Sequence, residues 1–237
     1  TSAATRTGRG GLSVRRRSAQ SRGGACRLGD SPTAAKTVPG SAMPPVNLIV
    51  LGGGEHARVV IEAARSRAGA WTILGFVDPA PCVETCERLG VPRLGGDEAL
   101  ADHPDALGVI GFGAAGEAAA RAAAVKRAAG RIGGWATVVH DSAWISPTAV
   151  LEPGAVVMAG AIVQTGAMIG AHAVVNTGAV IEHDVRLGSF SQVAPGAVLG
   201  GRCVVGNGAY VGLGASVRDA RRHWDPVWVV LPLMNDR

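Results

Sequence analysis

From Ile145 to Val217 every sixth residue is aliphatic: Ile145, Leu151, Val157, Val163, Ile169, Val175, Ile181, Leu187, Val193, Leu199, Val205, Val211 and Val217. Two residues before each sits a compact side chain, in order Ala143, Ala149, Ala155, Ala161, Ala167, Ala173, Ala179, Val185, Ser191, Ala197, Cys203, Ala209 and Ala215. A period of six matches neither the 3.6 of a helix nor the 2 of an isolated strand. It is the pattern of a hexapeptide β-helix, a chain wound into a prism with three short faces per coil. Each aliphatic side chain is then expected to point inward and stack on the one eighteen residues away, and each small residue to fit a corner. Thirteen hexapeptides make a little over four coils.

The remaining composition agrees with such a core. Aromatic residues are only 4% of the chain while glycine numbers 35, as suits a prism filled with Val, Ile, Leu and Ala. The net charge of +5 is misleading about partners. Residues 1–42 hold seven Arg and one Lys against Asp30, a net of +7, so the rest of the chain carries −2. A nucleic-acid reading would rest on that segment alone. The segment is rich in Arg, Ser, Gly and Thr, has no apolar period, and is expected to be a disordered basic tail over residues 1–44. Its basic, acid-poor character has something of a transit peptide. The preferred reading is upstream sequence, with Met43, just before the first strand, as the natural start. No stretch is long and apolar enough for a membrane helix, so no membrane partner is expected. Cys82 and Cys86 lack a second pair or a His at zinc spacing, and Cys203 fills a small-residue slot. Nothing argues for disulfides, which fits a reducing cytoplasm.

Residues 45–137 alternate between strand and helix patterns. Val46–Leu51 reads as a buried strand, residues 58–66 as a helix, residues 72–77 as a strand and residues 97–101 as a helix. Residues 107–112 read as a third strand and 116–129 as an Ala-rich helix. Such alternation implies a small Rossmann-like parallel sheet, giving an α/β domain followed by a left-handed parallel β-helix over residues 138–219. Gly52, Gly54 and Ala57 satisfy G-x-G-x-x-[GA] between the first strand and its helix, where amide groups can hold a phosphate. Asp78 ends the second strand, where a carboxylate can reach a ribose or sugar hydroxyl. A full dinucleotide fold needs a second half that this chain lacks, so a nucleotide-sugar fits better than NAD. The glycines could also serve only a tight turn.

Most polar positions of the repeats are Thr, Asn, Gln or Ser. The exception is Ile181-Glu182-His183-Asp184. With Ile181 inward, His183 projects from the prism wall between two acids. A carboxylate beside an imidazole orients it and stabilises its charged form, as a general base requires. One coil on lies Gly201 after Gly200, expected to leave room for a ligand and to expose amides that could hold a thioester carbonyl. One coil back, Thr165 is a possible polar contact. His172, in an ordinary repeat without acids, reads as a surface residue, and His140-Asp141 as a turn at the domain junction.

At these residues the chain resembles the sugar O- and N-acyltransferases typified by nucleotide-amino-sugar and sialic-acid-cluster acetyltransferases. The matching segments are 48–60 (LIVLGGGEHARVV), 75–78 (GFVD), 140–145 (HDSAWI) and 175–201 (VNTGAVIEHDVRLGSFSQVAPGAVLGG). The resemblance implies a homotrimer that uses acetyl-CoA and no metal. The nucleotide-sugar would bind the N-terminal sheet through Gly52, Gly54, His56 and Asp78. The coenzyme would lie between adjacent prisms. His183 matches the family's catalytic base and Asp184 the acid that supports it. Gly201 matches the amide that binds the acetyl oxygen, and transfer to an amine or hydroxyl would be direct. Gln192 stands nine residues after His183, where many members carry a second His, and is grouped with Gly201 as acetyl-CoA-binding. It can hydrogen-bond but cannot act as a base. A second departure is the end of the prism: residues 220–237, with Arg221 and His223 in the next repeat slots, have no hexapeptide character. Loss of a final coil there would remove part of the coenzyme groove. The alternative function is therefore a non-catalytic trimeric scaffold that binds a nucleotide-sugar. A metal hydratase on the same prism needs three converging His, whereas only His172 and His183 lie well inside it.

Overall fold

The computed structural model describes residues 44–113 and 116–218. The expected N-terminal tail, apart from Pro44, and the segment 220–237 lie outside the described residues, as do Cys26 and His223.

The first layer is a five-stranded parallel sheet. Its strands are β1 (Val46–Leu51), β2 (Trp71–Val77), β3 (Arg93–Gly95), β4 (Leu107–Ile110) and β5 (Gly134–Trp135), in the order β3-β2-β1-β4-β5. Two helices cross between strands: α1 (Glu55–Ser66) after β1, and α3 (Ala118–Ala128) after β4. A shorter helix, α2 (Val83–Leu89), and the edge strand β3 were not evident from sequence, since α2 buries only Thr85 and shows no apolar period. The helix expected at 97–101 is a 3-10 turn, Asp97–Asp102. α1 starts at Glu55, so His56 lies in its first turn rather than in the preceding loop. β4 ends at Ile110, which releases Gly111–Gly113 as a loop.

The second layer is a left-handed parallel β-helix of two-residue strands. Its first face stacks Val138–Val139, Val156–Val157, Val174–Val175, Gln192–Val193 and Tyr210–Val211. The second stacks Trp144–Ile145, Ile162–Val163, Val180–Ile181, Val198–Leu199 and Ser216–Val217. The third stacks Val150–Leu151, Met168–Ile169, Arg186–Leu187 and Val204–Val205. Strands pair in parallel with a register of eighteen residues, as in Val163 on Ile181 and Ile181 on Leu199. Every aliphatic of the six-residue series from Ile145 onward is the second residue of a strand and joins one apolar core with the small corner residues. Val139 adds one repeat before that series.

Corners are what let the chain turn every six residues. Three residues after each inward aliphatic, from Gly154 to Gly214, φ is positive. From His172 to Gly214 the amide of that residue donates to a carbonyl of the coil before, as from Gly178 to Ala159 and from Asp184 to Thr165, while the Gly160 and Gly166 amides donate to the hydroxyls of Ser142 and Thr148. Seven of these eleven positions are glycine, which occupies that region without strain. The other four are His172, Asp184, Phe190 and Arg202, with φ of 57°, 59°, 59° and 63°. A left-handed conformation costs an L-residue roughly 1–2 kcal/mol, so each of the four needs a compensating reason.

His172 and Phe190 have one in the joint between the layers. The sheet and α1 pack on the outer side of the first face, burying Val138, Val156 and Val174 against Val60 and Ile61. Beside this apolar contact, His172 stacks on Phe190 at 5.0 Å and meets the edge of Trp135 at 4.7 Å. Arg121 of α3, itself buried, donates to the backbone carbonyls of both His172 and Phe190. The expectation of a surface His172 is thus overturned: only 5% of it is exposed, because its edge of the prism is the one that α3 covers. Its position within one repeat could not reveal which edge that is.

Burial, with Arg121 nearby, pushes His172 down from 6.5 to about 4. His56 is likewise pushed to about 4 by burial and Arg121, against an opposing pull from Glu117. Both imidazoles are neutral in the folded protein while unfolded chains take up protons below about 6.5. Stability is therefore full above about 6.5 and is lost as pH falls toward about 4. Urea midpoints measured across that interval should decline. His172→Phe, which keeps a stacking ring, should decline less steeply than the native chain.

Candidate active site

Two clusters emerge. The first is the crevice beyond the carboxyl ends of β1 and β4, where the sheet order reverses and α/β sheets bind ligands. Gly52, at φ +101°, turns out of β1, and its amide donates to Val77 O at 2.8 Å. A Cβ here would press on Phe112 at 2.9 Å. Gly53 packs on the Phe76 ring too closely for any side chain. Gly54 faces open space and precedes α1 with no side-chain cap, so the helix start is open to a ligand. Asp78 organises this loop: Oδ2 accepts from the Gly53 amide at 2.8 Å and Oδ1 from the Ala80 amide at 2.8 Å. Thr85 holds the other side, its hydroxyl donating to Gly53 O at 2.5 Å. Among the described residues, His56 Nε2 is buried with no hydrogen-bond partner.

Gln192 belongs to this cluster by position. It is buried on the first face, where it follows Val156 and Val174 in the outward ladder, and its Oε1 lies against Gly113 of the crevice. Arg121 flanks the same glycine. Sequence reasoning missed Arg121 altogether. The only signal was an arginine flanked on both sides by alanines in α3, which reads as a solvated position.

The second cluster sits on the edge between the second and third faces. Ile181 is inward, as expected, and His183 and Asp184 form the next corner. His183 Nδ1 is 3.0 Å from Asp184 Oδ2. The left-handed backbone at Asp184 explains how adjacent residues meet. The Asp184 side chain lies over Gly166, where a Cβ would approach Oδ1 to 2.5 Å. With Nδ1–H donated to Asp184, the Nε2 lone pair is left to take a proton. Roughly half of the His183 side chain is exposed, so a substrate can reach it. Gly201 lies one coil on, but the space above it is not empty as expected: the imidazole rests there, and a Cβ would collide with Nε2. Thr165 supports the edge rather than His183, its hydroxyl 2.7 Å from that of Thr148 and its carbonyl accepting from the Asp184 amide.

The clusters do not meet within one chain. The sheet covers the first face, and His183 occupies the edge opposite that face. Gln192 is consequently parted from Gly201, with which it was grouped. His140 holds the junction turn, Nδ1 accepting from the Ser142 amide at 3.0 Å. Among the described residues no three His, Cys, Asp or Glu converge as metal ligands, and no helix is long and apolar enough to cross a membrane.

A family model described as the PglD N-terminal domain matches residues 47–128, and one described as bacterial transferase hexapeptide (six repeats) matches residues 178–213. A search of the curated proteins finds no match. Among solved structures, PerB from Caulobacter crescentus, in complex with CoA and GDP-perosamine, is 32% identical with a TM-score of 0.53. That match covers 73% of this chain and 83% of PerB. The acetyltransferase domain of PglB from Neisseria gonorrhoeae, in complex with acetyl coenzyme A, is 26% identical with a TM-score of 0.61, covering 74% of this chain and 94% of that one. The chain belongs to the nucleotide-amino-sugar acetyltransferase family of hexapeptide proteins. Its two layers correspond to the two family models, the crevice to the first and the His183 edge to the second.

The contact between His183 and Gly201 yields a test. Gly201 has an ordinary φ, so Gly201→Ala should leave the melting temperature nearly unchanged while displacing the imidazole. Acetyl transfer should fall at least about tenfold, since a misplacement on the order of 1 Å can cost 10². Unchanged kcat with a crystallographically unmoved ring would contradict the contact.

Proposed function

We propose that this protein transfers an acetyl group from acetyl-CoA directly to the amine or hydroxyl of a nucleotide-linked sugar, with His183 as general base. The observation that carries the reading is the His183–Asp184 pair, 3.0 Å apart on an exposed prism edge. Asp184 holds the ring in the tautomer with a free Nε2. As the acceptor nitrogen or oxygen attacks the thioester carbon, its proton passes to Nε2 and the imidazolium is stabilised by Asp184. Negative charge gathers on the carbonyl oxygen, where the Gly201 amide is the proposed donor. Collapse of the tetrahedral intermediate breaks the C–S bond, and the thiolate leaves and takes up the proton held by His183.

The crevice suits the nucleotide-sugar. Its uncapped helix start favours a diphosphate, and Gly54 offers close backbone approach. The complexes of PglB with acetyl coenzyme A and of PerB with CoA and GDP-perosamine support this pairing of substrates. Because crevice and His183 lie on opposite sides of the prism, a working site combines the crevice of one copy with the His183 edge of another. The second and third faces flank that edge with exposed apolar residues, Trp144 and Val198 on one and Val150 and Met168 on the other. A homotrimer burying those faces, with the coenzyme between adjacent prisms, follows from this reading.

The experiment is CoA release from acetyl-CoA with a panel of UDP- and GDP-linked 4-amino sugars. Release should depend on one acceptor and fall by about 10² or more in His183→Ala, the range for losing a general base. A folded native chain that is silent with every acceptor would overturn catalysis and leave a binding scaffold.

A further inference from the structure

Of the four non-glycine residues at left-handed corners, three have a structural reason. His172 and Phe190 build the joint with α3, and Asp184 reaches His183. Arg202 is the fourth. It follows Gly201, lies one coil beyond Asp184 on the same edge, and its amide donates to the carbonyl of His183 at 2.9 Å. Its side chain is exposed, and among the described residues no carboxylate lies within ion-pair distance of it. Residues held in the left-handed region cluster at active sites and ligand clamps.

We propose that Arg202 binds a phosphoryl group of a bound substrate and so positions it against His183. This rests on the acetyl-transfer reading of the same edge. Both proposed substrates carry phosphates, and a guanidinium matches phosphate oxygens bidentately. The sugar phosphate lies one ring away from the acceptor group, whereas the coenzyme diphosphate lies a whole pantetheine arm away from the thioester. An arginine one residue past Gly201 is therefore better placed for the former.

The test compares the native chain with Arg202→Gly and Arg202→Lys. Glycine relieves the corner, so the melting temperature of Arg202→Gly should equal or exceed that of the native chain. Its KM for the nucleotide-sugar should nevertheless rise about tenfold or more, as for loss of a charge-assisted bond, and Arg202→Lys should recover part of the loss. Calorimetric titrations with GDP, UDP and CoA run alongside. Weaker nucleoside-diphosphate binding assigns the contact to the sugar phosphate, and weaker CoA binding assigns it to the coenzyme; either supports the proposal, even if transfer itself is absent. Transfer with unchanged KM and Kd for both substrates overturns it and leaves the acetyl-transfer reading intact. Loss of assembly at unchanged Kd makes Arg202 an interface residue and likewise overturns it.

Discussion

The structure depends on a backbone turn that must recur every six residues. An inward aliphatic side chain stabilises a coil only if the chain bends sharply three residues later. From Gly154 to Gly214 that bend takes a positive φ, and from His172 on its amide donates to a carbonyl on the coil before. Glycine meets both requirements at no conformational penalty. Each glycine corner is thus neutral ground. Each side chain placed there is held in a fixed direction by a backbone it strains, which is why the exceptions cluster where the prism does something more than stack. Asp184 is fixed onto His183, and the rings of His172 and Phe190 onto each other.

That rule accounts for what could be read from the chain before folding. The period of six identified every prism core position from Ile145 on, because inward packing depends only on residues of the same face. The strand ends at Leu51 and Val77 and the glycine loop were legible for a similar reason: a buried parallel strand followed by glycines is a local pattern. His183 with Asp184 was legible as well, since both partners lie in one hexapeptide.

The rest depends on which surfaces meet, which no period encodes. His172 looked like any polar corner residue until α3 was found across that edge. The guanidinium of Arg121 is held by carbonyls 51 and 69 residues away, so its role exists only in the folded chain. Gln192 sits in the same hexapeptide slot as Val174 one coil earlier, and only the docking of the sheet on the first face turns that slot into part of the crevice. The short α2 and β3 were missed because elements that bury little have weak patterns.

The division of the site follows from the same geometry. The sheet docks on one face because Val138, Val156 and Val174 make that face apolar, and this choice places the crevice on the side of the prism away from His183. A single chain cannot bend to bring them together, since a close-packed prism whose coils are paired strand to strand has no hinge. The rigid joint at Arg121 makes the same point from the other side: one buried and one part-buried hydrogen bond and an aromatic stack fix the crevice relative to the coils. In the proposed reaction, bringing donor and acceptor together is then a matter of how copies pack rather than of domain closure. The exposed apolar positions on the two faces beside His183 provide the surface on which that packing can be set.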